Sequence, residues 1–351
     1  MIQAVSFTHT VNTLGVSHGH RRGEVQKYRL MMREGTTMSV KKSPDRMIIG
    51  VNVGQYQELP DVAKHIDMMS GFPVVRFMEW QQINRFRASP PSPITMGDLP
   101  HGDWDFKGGV WSAWGGVPIN VIIDTANKAG VRAWVCVHHT FQDTQKFVDY
   151  VCENAKYRPV FEFSNEIWNS GFMQYHDFAS FVGYQQDRFR GVLKLYANRV
   201  FELARIVDGR GDVVVSAQAA NSWVAETILS YMPSINGVTA LAIAPYWKNE
   251  AELWEVQLRV SQHKIIADMY GLNLACYEGG QHITTQGADI NRSQYMAIMY
   301  HAYLRMLEKA GVSLVCLYSL ASAYTSNRAW GLYEIVGKNY TKTLKREVVF
   351  C

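Results

Sequence analysis

Cysteine is scarce and unpatterned in this chain of 351 residues: five occur, at positions 136, 152, 276, 316 and 351, with no Cys-x-x-Cys pair. No histidine stands at zinc-ligand spacing from any of them, which excludes the usual structural zinc modules and a disulfide framework. Cys136, Cys276 and Cys316 sit inside apolar runs, where a thiol behaves as a small inert hydrophobe. Long hydrophobic runs are missing too. No window approaches the roughly 18 apolar residues of a membrane helix, so no membrane partner is expected. Charge of one sign is also lacking, because 35 basic residues face 31 acidic ones, a net of +4 spread along the chain. A nucleic-acid partner would leave a concentrated basic stripe, and there is none. Met1 to Leu14 shows no basic segment followed by an apolar one. The expectation is therefore a chain without a signal peptide, cytoplasmic by default or carried in a virion. Low-complexity tracts are absent, and 47% hydrophobic with 12% aromatic content is that of a packed globular protein.

What is present is an alternation. Eight apolar runs rich in Val, Ile and Ala read as buried parallel strands: Met47–Val53, Val74–Trp80, Val131–His138, Pro159–Ser164, Val213–Ala219, Ala240–Tyr246, Asn273–Tyr277 and Ser313–Leu320. Between them lie stretches with helical spacing, such as Val121, Ile122 and Ala126, or Met296, Met299, Tyr303 and Leu307. Gly130, Gly271 and Gly311 each stand where a helix should end and a strand begin. Eight βα units in sequence predict an α/β fold, a (β/α)8 TIM barrel over residues 47–351 with an N-terminal extension over residues 1–46. A doubly wound open sheet is the rival, but Gly50-Val51-Asn52-Val53-Gly54 is not the glycine-rich phosphate turn that fold usually carries. The extension reads either as an arm docking on a neighbouring subunit or as a plug on its own barrel. Three connections, 81–116, 169–191 and 281–292, are longer than usual and belong to the face that carries a barrel's chemistry. Tyr340–Phe350 reads as the last helix.

Two carboxylates stand at strand ends. In Phe161-Glu162-Phe163-Ser164-Asn165-Glu166-Ile167-Trp168-Asn169, alternation puts Glu162, Ser164 and Glu166 on the lumen side, with Glu166 at the C-terminal mouth. In Ala275-Cys276-Tyr277-Glu278-Gly279-Gly280, Glu278 ends the seventh strand. Taken singly, such a residue is more often a loop anchor than a catalyst. Glu162, deeper in the lumen, reads as a structural carboxylate that needs Arg76 or a histidine as partner. Five tryptophans, Trp80, Trp168, Trp223, Trp247 and Trp330, fall near strand ends, where each is either core or a platform for a sugar ring.

At Asn165-Glu166 and Glu278 the sequence resembles the clan A glycoside hydrolases. These are retaining barrel enzymes with an acid/base glutamate after asparagine on strand four and a nucleophile glutamate on strand seven. The resemblance implies a retaining O-glycosidase acting on a β-linked polysaccharide or oligosaccharide, with no cofactor, in which Glu166 is the acid/base and Glu278 the nucleophile. It also implies that Asn165 bonds the sugar 2-hydroxyl, that Arg76 buttresses Glu278, and that Tyr246 contacts it. His138 and His139 would line the site or serve the core, and Trp168, Trp247 and Trp330 would bind substrate. Two departures stand out: Ala244-Pro245-Tyr246 where the family often has His-x-Tyr, and Tyr318 or Trp330 in the role of the family's strand-eight tryptophan. Glu278 is expected to stay ionised beside cationic donors while Glu166 holds a proton. A different reading is a glycosidase-like barrel that serves as a glycan-binding or structural subunit of a larger particle such as a phage virion, assembled through residues 1–46 or as a homo-oligomer. An intracellular enzyme on imported oligosaccharides is a third.

Overall fold

The structure is a computed structural model that describes residues 46–54, 62–84, 116–183, 187–285, 287–337 and 339–350. Among these residues eight parallel strands close into a barrel: β1 (Ile48–Asn52), β2 (Val74–Arg76), β3 (Arg132–Val137), β4 (Val160–Phe163), β5 (Asp212–Ser216), β6 (Ala240–Ile243), β7 (Asn273–Cys276) and β8 (Val312–Tyr318). Each strand pairs with its neighbours in sequence, and β8 returns to β1 with Ile48 opposite Leu314 and Asn52 opposite Tyr318. The strands are mostly apolar because side chains on one face fill the lumen while those on the other meet helices. Val51, Val75, Val135, Phe161 and Leu274 are all fully buried.

The connecting helices follow their apolar spacing. The first, α1 (Val62–Met69), is short. In α2 (Ile119–Ala129) Ile119, Ile122, Ile123 and Ala126 form the buried stripe, and Gly130 ends it in the left-handed region at φ 75°. Next come α3 (Thr144–Asn154), α4 (Met173–Val182) and α5 (Arg188–Val207), the last opened by Asp187, whose side chain accepts from the Arg190 amide. Then follow α6 (Ser222–Tyr231), α7 (Glu250–Met269), α8 (Gly287–Arg292), α9 (Gln294–Lys309) and α10 (Leu344–Val349). None of the helices in the described residues is long and apolar enough to cross a membrane.

Two expectations are corrected. The connection over 169–191 is largely helical, being α4 and the start of α5. The last segment is helical only over Leu344–Val349. It begins as strand Asn339–Lys342, which with Tyr333–Val336 and Ala321–Ala323 forms a small sheet beyond β8. A second small pairing, Tyr246–Trp247 with Gly280–Gln281, joins the segments after β6 and β7. Except for Arg46, the expected N-terminal extension lies outside the described residues, as does most of the connection over 81–116.

Candidate active site

Arg76, the last residue of β2, is fully buried at the centre of the mouth. Its Nε donates to Glu162 Oε2 at 2.9 Å, Nη2 to Asn165 Oδ1 at 2.8 Å, and Nη1 to Glu278 Oε1 at 2.8 Å and Asn52 Oδ1 at 3.2 Å. The guanidinium carbon lies 5.1 Å from the Tyr277 ring centroid and 5.8 Å from that of Trp134. A planar five-donor cation can meet acceptors on several sides and aromatic faces at once, which an ammonium cannot. Asn52 in turn donates to the carbonyls of Tyr277 and Cys316, so its orientation is set by β7 and β8.

Glu162 points into the lumen as expected, where its Oε2 also accepts from Trp134 Nε1 at 3.0 Å. Alternation does not carry the chain to Glu166, however. Strand β4 stops at Phe163, and both Ser164 (φ 58°) and Glu166 (φ 44°) adopt the left-handed region in the turn that follows. Such backbone is uncommon for residues other than glycine and is held by its surroundings. Gln174 on α4 does part of this: its Nε2 donates to the Asn165 carbonyl at 2.6 Å and to Asn84 Oδ1 at 2.7 Å. The turn delivers Glu166 to a half-buried position, where Oε1 accepts from the Tyr277 hydroxyl and Oε2 from Asn169 Nδ2, each at 2.8 Å.

Glu278 follows β7. Beyond Arg76 on Oε1, its Oε2 accepts from the Tyr246 hydroxyl at 2.8 Å. Burial pushes its pKa up to about 7; Arg76 and the Tyr246 hydrogen bond pull it down, while the charge of Glu166 adds to the rise. The expected contrast, with Glu278 held low, is thus corrected: its depth in the mouth outweighs its cationic neighbour. The influence of Glu166 also puts the two carboxylates within electrostatic reach of each other. Tyr246 keeps its proton, since burial and the Glu278 charge push its pKa well above the ordinary value. Glu79 is raised by burial and takes a hydrogen bond from the Tyr318 hydroxyl at 3.2 Å.

The remaining candidates separate. Asn165 faces Arg76 with Oδ1 and donates its Nδ2 to Asn84 at 3.1 Å, so both ends of its amide are engaged inside the protein. His138 and His139 stack at 4.4 Å, with His138 Nδ1 on Thr140 Oγ1 and His139 Nε2 on Asp177 Oδ2 of α4. Trp247 is fully buried against Tyr300 and Tyr303, and Trp168 is buried against Tyr196 and Tyr277. Trp80 is buried as well. Of the five strand-end tryptophans only Trp223 and Trp330 keep part of their surface open. Trp330 stands edge-on to His282 at 6.1 Å and to Tyr318 at 6.0 Å, and with Tyr318, Ser319 and Arg328 lines a cavity of about 220 Å³. His282 is edge-on to Tyr246, so an aromatic row runs from Glu278 by way of Tyr246, His282 and Trp330 to Tyr318 and Glu79.

Tyr277, Asn84, Gln174 and Asn52 belong to this site without having been singled out in the sequence. Only Tyr277 carried a signal, as the neighbour of Glu278. Among the described residues no group of three or more His, Cys, Asp or Glu side chains is placed to hold a metal ion.

No family model matches the chain, and no curated protein does. Solved structures of similar fold are numerous. An alpha-L-arabinofuranosidase from Thermotoga maritima superposes with a TM-score of 0.56 at 12% identity over 82% of this chain and 62% of that one. A broad specificity endoglucanase from Clostridium longisporum gives 0.53 at 11% identity over 87% and 95%. An endo-1,4-beta-xylanase from Caldicellulosiruptor owensensis gives 0.50 at 12% over 87% and 96%. The chain thus spans less than two thirds of the length of the arabinofuranosidase. At these identities the likeness is one of fold: a (β/α)8 barrel.

Proposed function

We propose that the protein is a retaining glycoside hydrolase acting on a β-linked polysaccharide or oligosaccharide, with Glu278 as nucleophile and Glu166 as acid/base. The observation that carries this reading is the pair of carboxylates that follow β4 and β7, within electrostatic reach of each other and gripped by different donors. Arg76 and Tyr246 aim Glu278 while leaving it anionic above about pH 7; Tyr277 and Asn169 hold Glu166. The names of the solved barrels of similar fold are in keeping with it.

In the first step the Glu278 carboxylate attacks the anomeric carbon as the bond to the leaving oxygen breaks and that oxygen takes the proton of Glu166. This forms a glycosyl ester and leaves Glu166 as a carboxylate. In the second, Glu166 takes a proton from water, the hydroxyl oxygen attacks the anomeric carbon, and the ester bond breaks to return Glu278 as a carboxylate. Arg76 and Tyr246 then hydrogen-bond the departing carboxylate, which favours its release.

Product stereochemistry tests the reading. A screen of β-linked glycans should find one cleaved with the first-formed anomer retained, seen by proton NMR. Azide distinguishes the two roles on an activated aryl glycoside. With Glu278→Gly it displaces the leaving group directly and yields the inverted azide; with Glu166→Ala it intercepts the ester and yields the retained one. An inverted hydrolysis product, or glycan binding without cleavage by the native protein, would sink the assignment.

A further inference from the structure

Lys345 lies in α10 and is fully buried. Its ammonium donates to Asn291 Oδ1 of α8 at 2.8 Å and to two successive main-chain carbonyls, Ala329 at 2.9 Å and Trp330 at 3.1 Å. The ring centroids of Tyr300 and Tyr324 lie 5.5 and 5.2 Å from it. Three acceptors use all three N–H bonds of the ammonium form, and two aromatic faces add to its attraction. Burying a lysine is costly, and here burial pushes its pKa well below the ordinary value, with Glu334 opposing. A methionine would fill this space more cheaply, so the polar amino head has to be explained by what it holds.

What it holds is the backbone of the segment that presents Trp330. The Ala329 carbonyl also accepts from Gln281 Nε2 at 3.1 Å, three residues past Glu278. The same carbonyl is therefore gripped from the β7 side by Gln281 and from the C-terminal side by Lys345. Trp330, the half-open tryptophan of the aromatic row, stands on this doubly held strip.

We propose that Lys345 is a positioning residue for substrate: it pins the Ala329–Trp330 backbone so that the Trp330 ring is held as a sugar-stacking wall of the cavity it shares with Tyr318 and Arg328. The inference deepens the glycosidase reading and rests on it for the identity of the ligand. Lys345 touches no reacting atom, so its loss weakens binding rather than chemistry.

The test is a double-mutant cycle on the full chain with the glycan that the native protein cleaves. K345M should raise KM about tenfold with kcat within about twofold, and should add nothing to the KM of W330A. A second readout needs no activity: the fluorescence of Trp330, taken as each protein minus its W330F counterpart, should become about twice as quenchable by acrylamide in K345M. Should K345M not fold, K345Q, whose shorter uncharged amide cannot hold both carbonyls and Asn291 at once, is read by the same criteria. An unchanged KM, an equal KM rise in the W330A background, or unaltered quenching would overturn the proposal. If no glycan is cleaved by the native protein the glycosidase reading fails, and the quenching difference still decides whether Lys345 holds Trp330.

Discussion

Glu278 shows how a single carboxylate is set by opposing influences. Burial and Glu166 raise its pKa to about 7, while Arg76 and Tyr246 resist. In the proposed role of nucleophile it must be ionised, so kcat/KM should fall as pH drops through about 7. Tyr246→Phe removes a donor that favours the charged form, and the acid limb of the profile should move to higher pH; no movement would show that the hydroxyl does not act on Glu278. Stability must run the other way. A carboxyl whose folded pKa lies above its unfolded one favours folding most below the unfolded pKa, and that contribution is lost as pH rises through the folded value. Glu278→Gln should therefore abolish turnover yet melt above the wild type at pH 8, the gap narrowing toward pH 5. Thermal unfolding at the two pH values measures this directly. Glu166 and Glu278 were legible because each sits at or beside a strand end, whereas the roles of Arg76 and Tyr246 at Glu278 entered only through the family resemblance. Asn84 and Gln174 were not legible, since a polar side chain in a loop or helix gives no local sign of the backbone it will hold.

The elements were legible where periodicity is strong. All eight strands and the helix-ending glycines follow from apolar spacing, because a strand covered on both faces must be apolar along its length. Alternation failed at the end of β4, where the left-handed residues Ser164 and Glu166 take over from the pleat, since no pattern rule signals such backbone in a non-glycine residue. The helix α4 was hidden for a related reason: its buried positions include Gln174 and Asp177, polar side chains that serve the site and break the apolar stripe. The caps permit a simple quantitative check. Gly271 stands at φ 67° with nothing within 4 Å of where a Cβ would lie, so Gly271→Ala meets backbone strain and no clash. It should cost about 1 kcal/mol in urea unfolding, and Gly271→Asn less. A cost near zero would mean that the left-handed turn is not required between α7 and β7.

At the scale of the whole barrel, Arg76 is the knot. One side chain on β2 is bonded to Asn52 at the end of β1, Glu162 on β4, Asn165 after it, and Glu278 after β7, so residues from both sides of the closed sheet converge on one cation. The chain's small net charge of +4 says nothing of this, because what matters is one buried positive charge among buried acceptors. Removing it leaves the buried carboxylates of Glu162 and Glu278 without their shared cation, and stranded buried charges of this kind typically cost about 3–5 kcal/mol. Arg76→Met should accordingly lose that much stability at pH 8 and regain part of it toward pH 5, where the stranded carboxyls take up protons and their ionic cost disappears. Arg76→Lys keeps the charge but cannot reach all four acceptors, and should fall between the two. The decisive comparison is Arg76→Met combined with Glu162→Gln. If the penalty comes from uncompensated charge, the second substitution restores part of the stability lost in the first at pH 8 while activity stays lost, because Glu278 is still without its cationic partner. If it comes from lost packing alone, the two losses add and neither depends on pH.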